Sequence, residues 1–311
     1  MLYDVIIVGG GPAGLTAGIY SSRAGRSVLL LERMVPGGQI AYTTTVENYT
    51  GIKKITGGEL SELMFNHATS YGMKVVFSEV LDVEIEDKIK KVRTHAGTFE
   101  GKTIILCLGA SAKQLNLPNE KKFIGRGVSY CANCDGNFFK NKTVAIVGGG
   151  NSSLEDSMHL ANLAKQVYVI NRKDNFKGEK ILIEEAKTLS QKENSNYKII
   201  YNSAVEEING TDKVENIKIK NLISNEETLL DVDALFIAIG RKPDTEMVAD
   251  KIELDPQGYI ITNEKMETSV AGVYAAGDVR KKQLRQIVTA TSDGAIASIN
   301  TNEYILRVFG S

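Results

Sequence analysis

Residues 5–14 read VIIVGGGPAG, a short run of β-branched residues that ends in a glycine-rich turn. An apolar-periodic segment follows, which gives the order strand, turn and helix. The three glycines serve different purposes. Gly9 permits the tight turn, Gly11 lets the backbone approach a pyrophosphate, and Gly14 lets the helix pack closely on the strand. The helix N-terminus adds the positive end of its dipole. The stretch therefore predicts a dinucleotide-binding motif in an α/β fold.

A carboxylate stands at the end of the second predicted strand. This strand covers residues 28–31, and Glu32 follows it directly. Two acceptor oxygens at this point suit the hydroxyls of a ribose. A lone glycine fingerprint is weak evidence, because glycine turns also precede helices for purely structural reasons. The strand context, residues 12–13 and Glu32 together favour a bound nucleotide.

The motif occurs a second time near the middle of the chain. Residues 143–153 read TVAIVGGGNSS, and the paired second strand is predicted over residues 167–170. Ser153 takes the third position of this fingerprint, where alanine or glycine is usual, and a serine is small enough for close packing. The chain thus contains an internal repeat of two strand–glycine–helix–strand units.

Two further apolar runs are predicted to complete the two sheets. Residues 103–108 lead into Gly109, and residues 235–239 lead into Gly240. The stretches after these glycines are then expected to be the crossings between two domains. The predicted fold is α/β, with two Rossmann-like, three-layer nucleotide-binding domains, the second inserted into the first. The first domain is predicted to comprise residues 1–113 and 243–311, and the second residues 114–242.

Composition narrows the class of protein. The chain has 311 residues, 42% of them hydrophobic, and a formal net charge of -1, so nothing suggests a nucleic-acid partner. No apolar run reaches the ~20 residues that cross a bilayer, and no membrane association is expected. Three cysteines are too few for a disulfide scaffold. A reducing, cytoplasmic location is expected, and there a C-x-x-C pair is more often catalytic or metal-binding than structural.

The pair in question is Cys131 and Cys134, with Asp135 directly behind it. Three interpretations compete: a redox disulfide, half of a zinc site, and buried inert cysteines. Zinc needs two further ligands, and the remaining cysteine and histidines are not paired at metal-ligand spacing, so no metal is expected. A redox pair needs a proton donor. No histidine stands near the motif in sequence, which leaves Asp135 as a candidate general acid if burial raises its pKa.

The nature of the first nucleotide is indicated near the C-terminus. Residues 272–278 read GVYAAGD, which places Asp278 after a strand and a glycine. An aspartate there can bind a ribityl hydroxyl, which no nicotinamide site requires. Two separated segments around one long cofactor point to FAD.

Seven motifs of the sequence occur in the order found in low-molecular-weight thioredoxin reductases. The chain resembles this family over nearly its whole length. These motifs are residues 9–14, 37–39, 46–48, 131–135, 148–151, 275–278 and 285–286. The resemblance implies that Gln39, Asn48, Asp278 and Gln286 contact the flavin. It also implies that Cys134 lies nearer the flavin, that Cys131 exchanges with the protein substrate, thioredoxin, and that the protein is a homodimer.

The predicted FAD contacts are Gly9, Gly11, Pro12, Ala13, Gly14, Glu32, Arg33, Gly38, Gln39, Asn48, Gly277, Asp278, Arg285, Gln286 and Ile287. The predicted NADPH contacts are Gly148, Gly150, Asn151, Ser152, Ser153, Arg172, Lys173 and Lys177.

NADPH is preferred to NADH because cations, and no acid, follow the second strand of the repeat. Arg172, Lys173 and Lys177 suit a 2′-phosphate. The family pattern is a histidine, two arginines and a third arginine four residues later. Only Arg172 matches fully, since the lysines keep the charge but lose the bidentate fork, and Asn171 replaces the histidine. Weaker affinity or relaxed discrimination against NADH is therefore expected.

The predicted reaction is transfer of two electrons from NADPH through FAD and the Cys131–Cys134 disulfide to oxidised thioredoxin. The dithiol and the nicotinamide site both belong to the inserted domain, and each must reach the same flavin. We therefore hypothesise that the domains rotate between the half-reactions. Three alternatives remain: a ferredoxin-dependent flavin thioredoxin reductase, a ferredoxin–NADP reductase of the same architecture, and a non-catalytic flavin redox sensor.

Overall fold

The computed structural model describes residues 1–43 and 45–310. The chain divides into two compact units, Met1–Ser111 with Lys242–Ser311, and Ala112–Arg241. The chain therefore leaves the first unit once and returns to it once. These limits lie within a few residues of the predicted domain boundaries. That each unit binds one nucleotide stays a prediction.

The first unit begins with seven strands and two helices. In chain order these elements are β1 (Leu2–Val8), α1 (Pro12–Arg23), β2 (Val28–Glu32), α2 (Gly57–Thr69), β3 (Lys74–Phe77), β4 (Val80–Glu84), β5 (Lys90–Thr94), β6 (Gly97–Leu106) and β7 (Ala110–Ala112).

The second unit follows, and then the chain returns to the first. The second unit contains β8 (Val128–Ser129), α3 (Ala132–Asp135), β9 (Thr143–Val147), α4 (Asn151–Ala161), β10 (Gln166–Ile170), α5 (Lys180–Gln191), β11 (Tyr197–Ile200), β12 (Ser203–Asn209), β13 (Asn216–Asn221), β14 (Glu227–Asp231) and β15 (Ala234–Ile237). The last elements are β16 (Arg241–Pro243), β17 (Val273–Ala275) and α6 (Ile287–Phe309). Strands β7 and β16 pair with each other where the chain crosses between units.

The sheet of the first unit has the order β3-β2-β1-β6-β5-β4, and β17 pairs with the far end of β6. Strands β1, β2, β3, β6 and β17 run parallel, whereas β4 and β5 form an antiparallel extension. The side chains of Ile6 and Ile7 point to opposite faces of β1 and are both fully buried. Burial of both faces is typical of a parallel sheet covered on two sides, as the apolar run of β1 predicts.

The second unit repeats this plan on a smaller scale. Its parallel sheet has the order β11-β10-β9-β15-β8, and β12, β13 and β14 form a separate antiparallel sheet. Within each unit the strand of the glycine motif lies beside the later apolar strand, β1 beside β6 and β9 beside β15. The predicted α/β fold class is confirmed.

The two later strands end earlier than predicted. Strand β6 ends at Leu106 and β15 at Ile237, two residues before the predicted ends at residues 108 and 239. In each case the chain turns at the following glycine, where φ is +74° at Gly109 and +104° at Gly240. The apolar pattern continues into the turn, so it places the end of each strand too late. It also misses the start of β6, which begins at Gly97, six residues before the predicted start at residue 103.

Candidate functional site

The first glycine turn leaves room for a ligand at one position. Gly9 has a φ of +103°, and a Cβ there would clash with the carbonyl oxygen of Cys107. A Cβ on Gly14 would clash with the carbonyl oxygen of Gly9, which explains why the helix can approach so closely. A Cβ on Gly11 would meet no described atom within 4 Å. The backbone at the start of α1 therefore faces open space, as a pyrophosphate site requires.

Glu32 supports this turn. Its carboxylate is buried, and its two oxygens accept hydrogen bonds from the backbone N–H of Gly10, at 2.7 Å, and of Met34, at 2.8 Å. Each carboxylate oxygen has a second lone pair, so the predicted bond to a ribose is still open to it. The neighbouring Arg33 is exposed and forms an ion pair with Asp244 at 3.4 Å.

Two sequence-distant segments of the first unit contact this turn, and two others contact each other. A Cβ on Gly38 would lie 3.4 Å from the Cα of Gly11, and one on Gly277 would lie 2.9 Å from the Cβ of Ala13. The side-chain amide of Asn48 donates a hydrogen bond to Oε1 of Gln286 at 3.1 Å. The fold thus brings together residues that the sequence predicts as contacts of one long cofactor. Their role as cofactor contacts stays a prediction.

Arg285 packs against two other residues of the first unit. Its guanidinium stacks over the ring of Tyr259 at 3.9 Å, and Nε donates to the backbone carbonyl of Asp278 at 3.3 Å. The side chain of Gln39 is exposed. Ile287 begins α6, directly after Gln286 at the helix N-cap.

The second glycine turn has the same geometry. A Cβ on Gly148 would clash with the carbonyl oxygen of Ala238, whereas one on Gly150 would have no neighbour within 4 Å among the described atoms. Ser153 is fully buried, and its hydroxyl donates to the carbonyl of Gly150 at 2.9 Å. The serine at the third fingerprint position therefore fits without widening the turn.

The predicted cations lie on a loop that is fastened to this turn. The backbone N–H of Lys177 donates to the carbonyl of Gly149 at 2.7 Å, and Asn151 exchanges two hydrogen bonds with Glu179, at 2.7 and 2.8 Å. The side chains of Arg172, Lys173 and Lys177 are exposed, and none forms an ion pair within the described part of the chain. Three cations on a loop that is bonded to the turn containing Gly150 form a suitable site for a phosphate.

Asn171 lies at the position that Glu32 has in the first unit. Its side chain is buried and donates to the carbonyl of Asn175 at 2.7 Å. This bond holds the loop that carries the cations. A neutral amide at this point also introduces no negative charge that would repel a 2′-phosphate.

Cys131 and Cys134 form a disulfide, with their Cα atoms 5.3 Å apart. Cys131 caps the short helix α3, and the backbone N–H of Cys134 donates to the sulfur of Cys131 at 3.2 Å. A donor at this sulfur favours the thiolate over the thiol once the disulfide is reduced. Cys107, the third cysteine, is buried in the core of the first unit, and burial raises the pKa of its thiol.

Asp135 is half-buried, and this desolvation raises the pKa of its carboxyl. The shift is in the direction that a general acid requires, because a raised pKa keeps the carboxyl protonated at higher pH. An opposing contribution comes from Ser129, whose hydroxyl donates to Oδ2 of Asp135 at 2.6 Å and lowers the pKa.

Ser129 is a site residue that sequence reasoning missed. Besides its bond to Asp135, its hydroxyl accepts a hydrogen bond from the backbone N–H of Cys131 at 3.1 Å. It therefore connects the carboxyl to the residue that bears the first sulfur. Its only signal in the sequence is its place two residues before Cys131, and a serine in a loop is too common to indicate a role.

One histidine that is distant from the dithiol motif in sequence lies close to its end in the structure. A Cβ on Gly136, the C-cap of α3, would lie 3.7 Å from Nε2 of His159 on α4. The expectation that no histidine is near the dithiol motif therefore holds along the chain but not in space. Packing of α3 against α4 brings His159 to the motif.

A glycine turn with open backbone in each unit and a disulfide on the second unit are the features of a nucleotide-dependent disulfide oxidoreductase. Residues 3–294 match the family model described as pyridine nucleotide-disulphide oxidoreductase. The thioredoxin reductase of Bacillus subtilis is 41% identical over 305 residues, which cover 98% of this chain and 95% of that protein.

Solved structures give the same result. Thioredoxin reductase from Streptococcus pyogenes superposes with a TM-score of 0.91 at 39% identity, covering 98% of this chain and 99% of that one. A ferredoxin-flavin thioredoxin reductase from Clostridium acetobutylicum gives 0.53 at 29% identity, covering 100% and 99%. The chain belongs to the pyridine nucleotide-disulphide oxidoreductase family and, within it, to the bacterial-type thioredoxin reductases. The resemblance read from the sequence is confirmed, and the family uses a flavin and a pyridine nucleotide.

Within the described part of the chain no helix is long and apolar enough to cross a membrane.

Proposed function

We propose that this protein reduces the disulfide of thioredoxin with electrons that pass from NADPH through FAD and the Cys131–Cys134 disulfide. The observation that carries the proposal is the dithiol site: a disulfide, an N–H donor at Cys131 and a carboxyl with a raised pKa lie within one short turn. The protein acts as a cytoplasmic homodimer in this proposal.

The residues fit both cofactors. FAD would be held by the open backbone at Gly11, by Glu32, and by Gly38, Asn48, Asp278 and Gln286 from the other segments of the first unit. NADPH is held by the open backbone at Gly150 and by Arg172, Lys173 and Lys177. When bound, FAD supplies the step that converts hydride transfer from the nicotinamide into electron-pair transfer to the disulfide.

The remaining chemistry belongs to the two sulfurs and Asp135. Cys134 receives the electron pair, the S–S bond breaks, and Cys131 leaves as a thiolate that takes a proton from Asp135. Cys131 returns this proton to the Asp135 carboxylate, attacks one sulfur of the substrate disulfide, forms a mixed disulfide and expels a substrate thiolate, which takes the proton from Asp135. Cys134 then attacks the sulfur of Cys131, which restores the Cys131–Cys134 disulfide and releases the dithiol product. Rotation of the domains between the half-reactions stays a hypothesis.

Anaerobic titration of the oxidised protein with NADPH and NADH in separate experiments tests the proposal. Flavin absorbance at the visible maximum is expected to bleach rapidly with NADPH and more slowly with NADH, and the reduced protein is expected to reduce thioredoxin. Absence of bleaching by NADPH would support the ferredoxin-dependent alternative. Bleaching without turnover of thioredoxin would support the non-catalytic sensor or, if ferredoxin is reduced instead, the ferredoxin–NADP reductase.

Replacing Arg172 with glutamine is expected to raise KM for NADPH about tenfold while leaving kcat and KM for NADH nearly unchanged. One charge-assisted hydrogen bond to a phosphate is worth about 1.5 kcal/mol at an exposed site, and NADH has no phosphate there. Steady-state kinetics with both nucleotides provide the measurement. Lys187→Gln, an exposed cation on α5 away from the loop, is the matched control and is expected to have no effect. Equal increases in KM for both nucleotides would show that Arg172 does not read the 2′-phosphate.

Replacing Ser129 with alanine is expected to move the alkaline limit of turnover to higher pH. The Ser129 hydroxyl stabilises the ionised Asp135 carboxylate and lowers its pKa, so its loss raises that pKa further and keeps the general acid protonated at higher pH. The pH dependence of kcat provides the measurement, and Ser129→Thr, which keeps the hydroxyl, is expected to retain the original limit.

The same experiment on Asp135→Asn is expected to lower kcat about 100-fold or more and to remove this limit, because an amide cannot supply the proton. His159→Gln serves as the control for the neighbouring histidine. An alkaline limit that persists in Asp135→Asn and vanishes in His159→Gln would reassign the proton donor to His159.

A further inference from the structure

A buried ion cluster lies beneath the segment that carries Asp278. Asp293 of α6 and Lys282 of the preceding loop each have only 8% of the side chain exposed, and their charged atoms are 2.9 Å apart. Arg280 contacts the other oxygen of Asp293 at 3.2 Å. The backbone N–H of Gly277 also donates to Asp293, at 3.0 Å. None of these contacts to Asp293 is apparent in the sequence motifs.

Lys282 reaches beyond Asp293. Its ammonium lies 3.8 Å from Oδ1 of Asp278 and 3.4 Å from the hydroxyl of Thr289. Thr289 in turn accepts a hydrogen bond from the backbone N–H of Gln286 at 3.1 Å and so helps to cap α6. One buried cation thus links the two residues, Asp278 and Gln286, that are expected to contact the flavin from opposite ends of the loop.

The charges in the cluster balance. Two carboxylates, Asp278 and Asp293, face two cations, Arg280 and Lys282. Without Lys282, Asp293 keeps its contact with the Arg280 guanidinium, whereas the ammonium 3.8 Å from the Asp278 carboxylate is lost. A carboxylate that loses a buried cation turns toward other donors or toward water, because desolvation penalises its charge. Asp278 is the member of the cluster with the most exposed side chain, at 23%, and has the most freedom to move.

We propose that Lys282 is a positioning residue for the flavin, which holds the carboxylate of Asp278 and the start of α6 in the arrangement that binds FAD. The inference rests on the proposed function, because it requires FAD to bind at Asp278. It assigns to Lys282 a role that none of the ordered sequence motifs includes.

The test is the affinity of the protein for FAD, measured by titrating FAD into the apoprotein and following the quenching of flavin fluorescence. Lys282→Met is expected to raise the Kd for FAD about tenfold or more. This change corresponds to the loss of one charge-assisted hydrogen bond between the Asp278 carboxylate and the flavin. Lys282→Gln, which is polar but uncharged, is expected to give a similar loss, and Lys282→Arg to restore most of the affinity. Lys281→Met, at the adjacent exposed lysine, is the matched control.

A double variant separates positioning from simple charge neutralisation. Lys282→Met with Asp293→Asn removes both partners of the closest pair, so the thermal stability of the apoprotein is expected to recover. The Kd for FAD is expected to stay raised, because the ammonium that faces Asp278 is still missing. Recovery of wild-type affinity in the double variant would overturn the proposal, as would wild-type affinity in Lys282→Met. A wild-type protein that binds no flavin would overturn the proposed function itself.

Discussion

Replacing Cys131 with serine is expected to reduce thioredoxin turnover to the level of the reaction without enzyme, while NADPH still bleaches the flavin at the wild-type rate. Cys131 is the sulfur with a backbone N–H donor, and this donor stabilises the thiolate that attacks the substrate. A serine hydroxyl is not ionised at neutral pH and cannot replace it. The nicotinamide half-reaction needs neither sulfur, so rapid-mixing absorbance and a coupled thioredoxin assay separate the two steps.

The companion variant Cys134→Ser distinguishes the roles of the two sulfurs. It is also expected to abolish turnover, but its Cys131 thiolate is expected to form a stable adduct with an aromatic disulfide, whose leaving thiolate is a weak nucleophile. Mass spectrometry of the intact protein detects the adduct. Cys107→Ala, at the buried third cysteine, is the control and is expected to keep activity. An adduct on Cys131→Ser and none on Cys134→Ser would reverse the assignment.

Replacing Gly11 or Gly150 with alanine is expected to abolish the binding of one of the two cofactors in each case. Gly11→Ala is expected to lose FAD, whereas Gly150→Ala is expected to keep FAD but to lose rapid reduction by NADPH. At both positions a Cβ has no described neighbour within 4 Å and φ is negative, so the fold tolerates alanine. The new methyl group occupies the space into which a pyrophosphate must come, and we expect at least about a hundredfold weaker binding.

Flavin content after purification and NADPH titration provide the measurements for this pair. The matched control is Gly58→Ala in α2, where the added Cβ also meets no described atom within 4 Å and φ is not positive. This helical replacement is expected to leave both cofactors bound and to stabilise the protein by about 0.5–1 kcal/mol. Full FAD content in Gly11→Ala would show that the first turn is not the pyrophosphate site.

The repeated glycine motif predicts the fold because each of its residues answers a local requirement. A buried parallel strand, a turn with a positive φ at Gly9 and Gly148, and a helix that packs closely at residue 14 or 153 are all indicated by one short stretch of sequence. The carbonyl groups that also exclude a side chain at Gly9 and Gly148 come from residues directly after distant strands. The strand ends are predicted two residues too late, since hydrophobicity does not show where a backbone turns away from its partner.

The residues of the site can be predicted only in part from the sequence. Motif residues such as Asn48 and Gln286 can be named from sequence, but their hydrogen bond joins positions that are distant along the chain. Ser129, Asp293 and Lys282 belong to no motif, because a serine, an aspartate and a lysine acquire a role only when packing removes water from around them.

The sequence by itself determined the α/β class, the two strand–glycine–helix–strand repeats, the Cys131–Cys134 pair and the cation loop. Each of these depends on contacts within a short stretch of chain. Only the tertiary structure decided the environment of the reacting groups. The raised pKa of Asp135, its bond to Ser129, the approach of His159 and the burial of Lys282 beside Asp293 all arise from elements that meet after folding. Burial and long-range pairing are properties of the packed chain, and no local pattern encodes them.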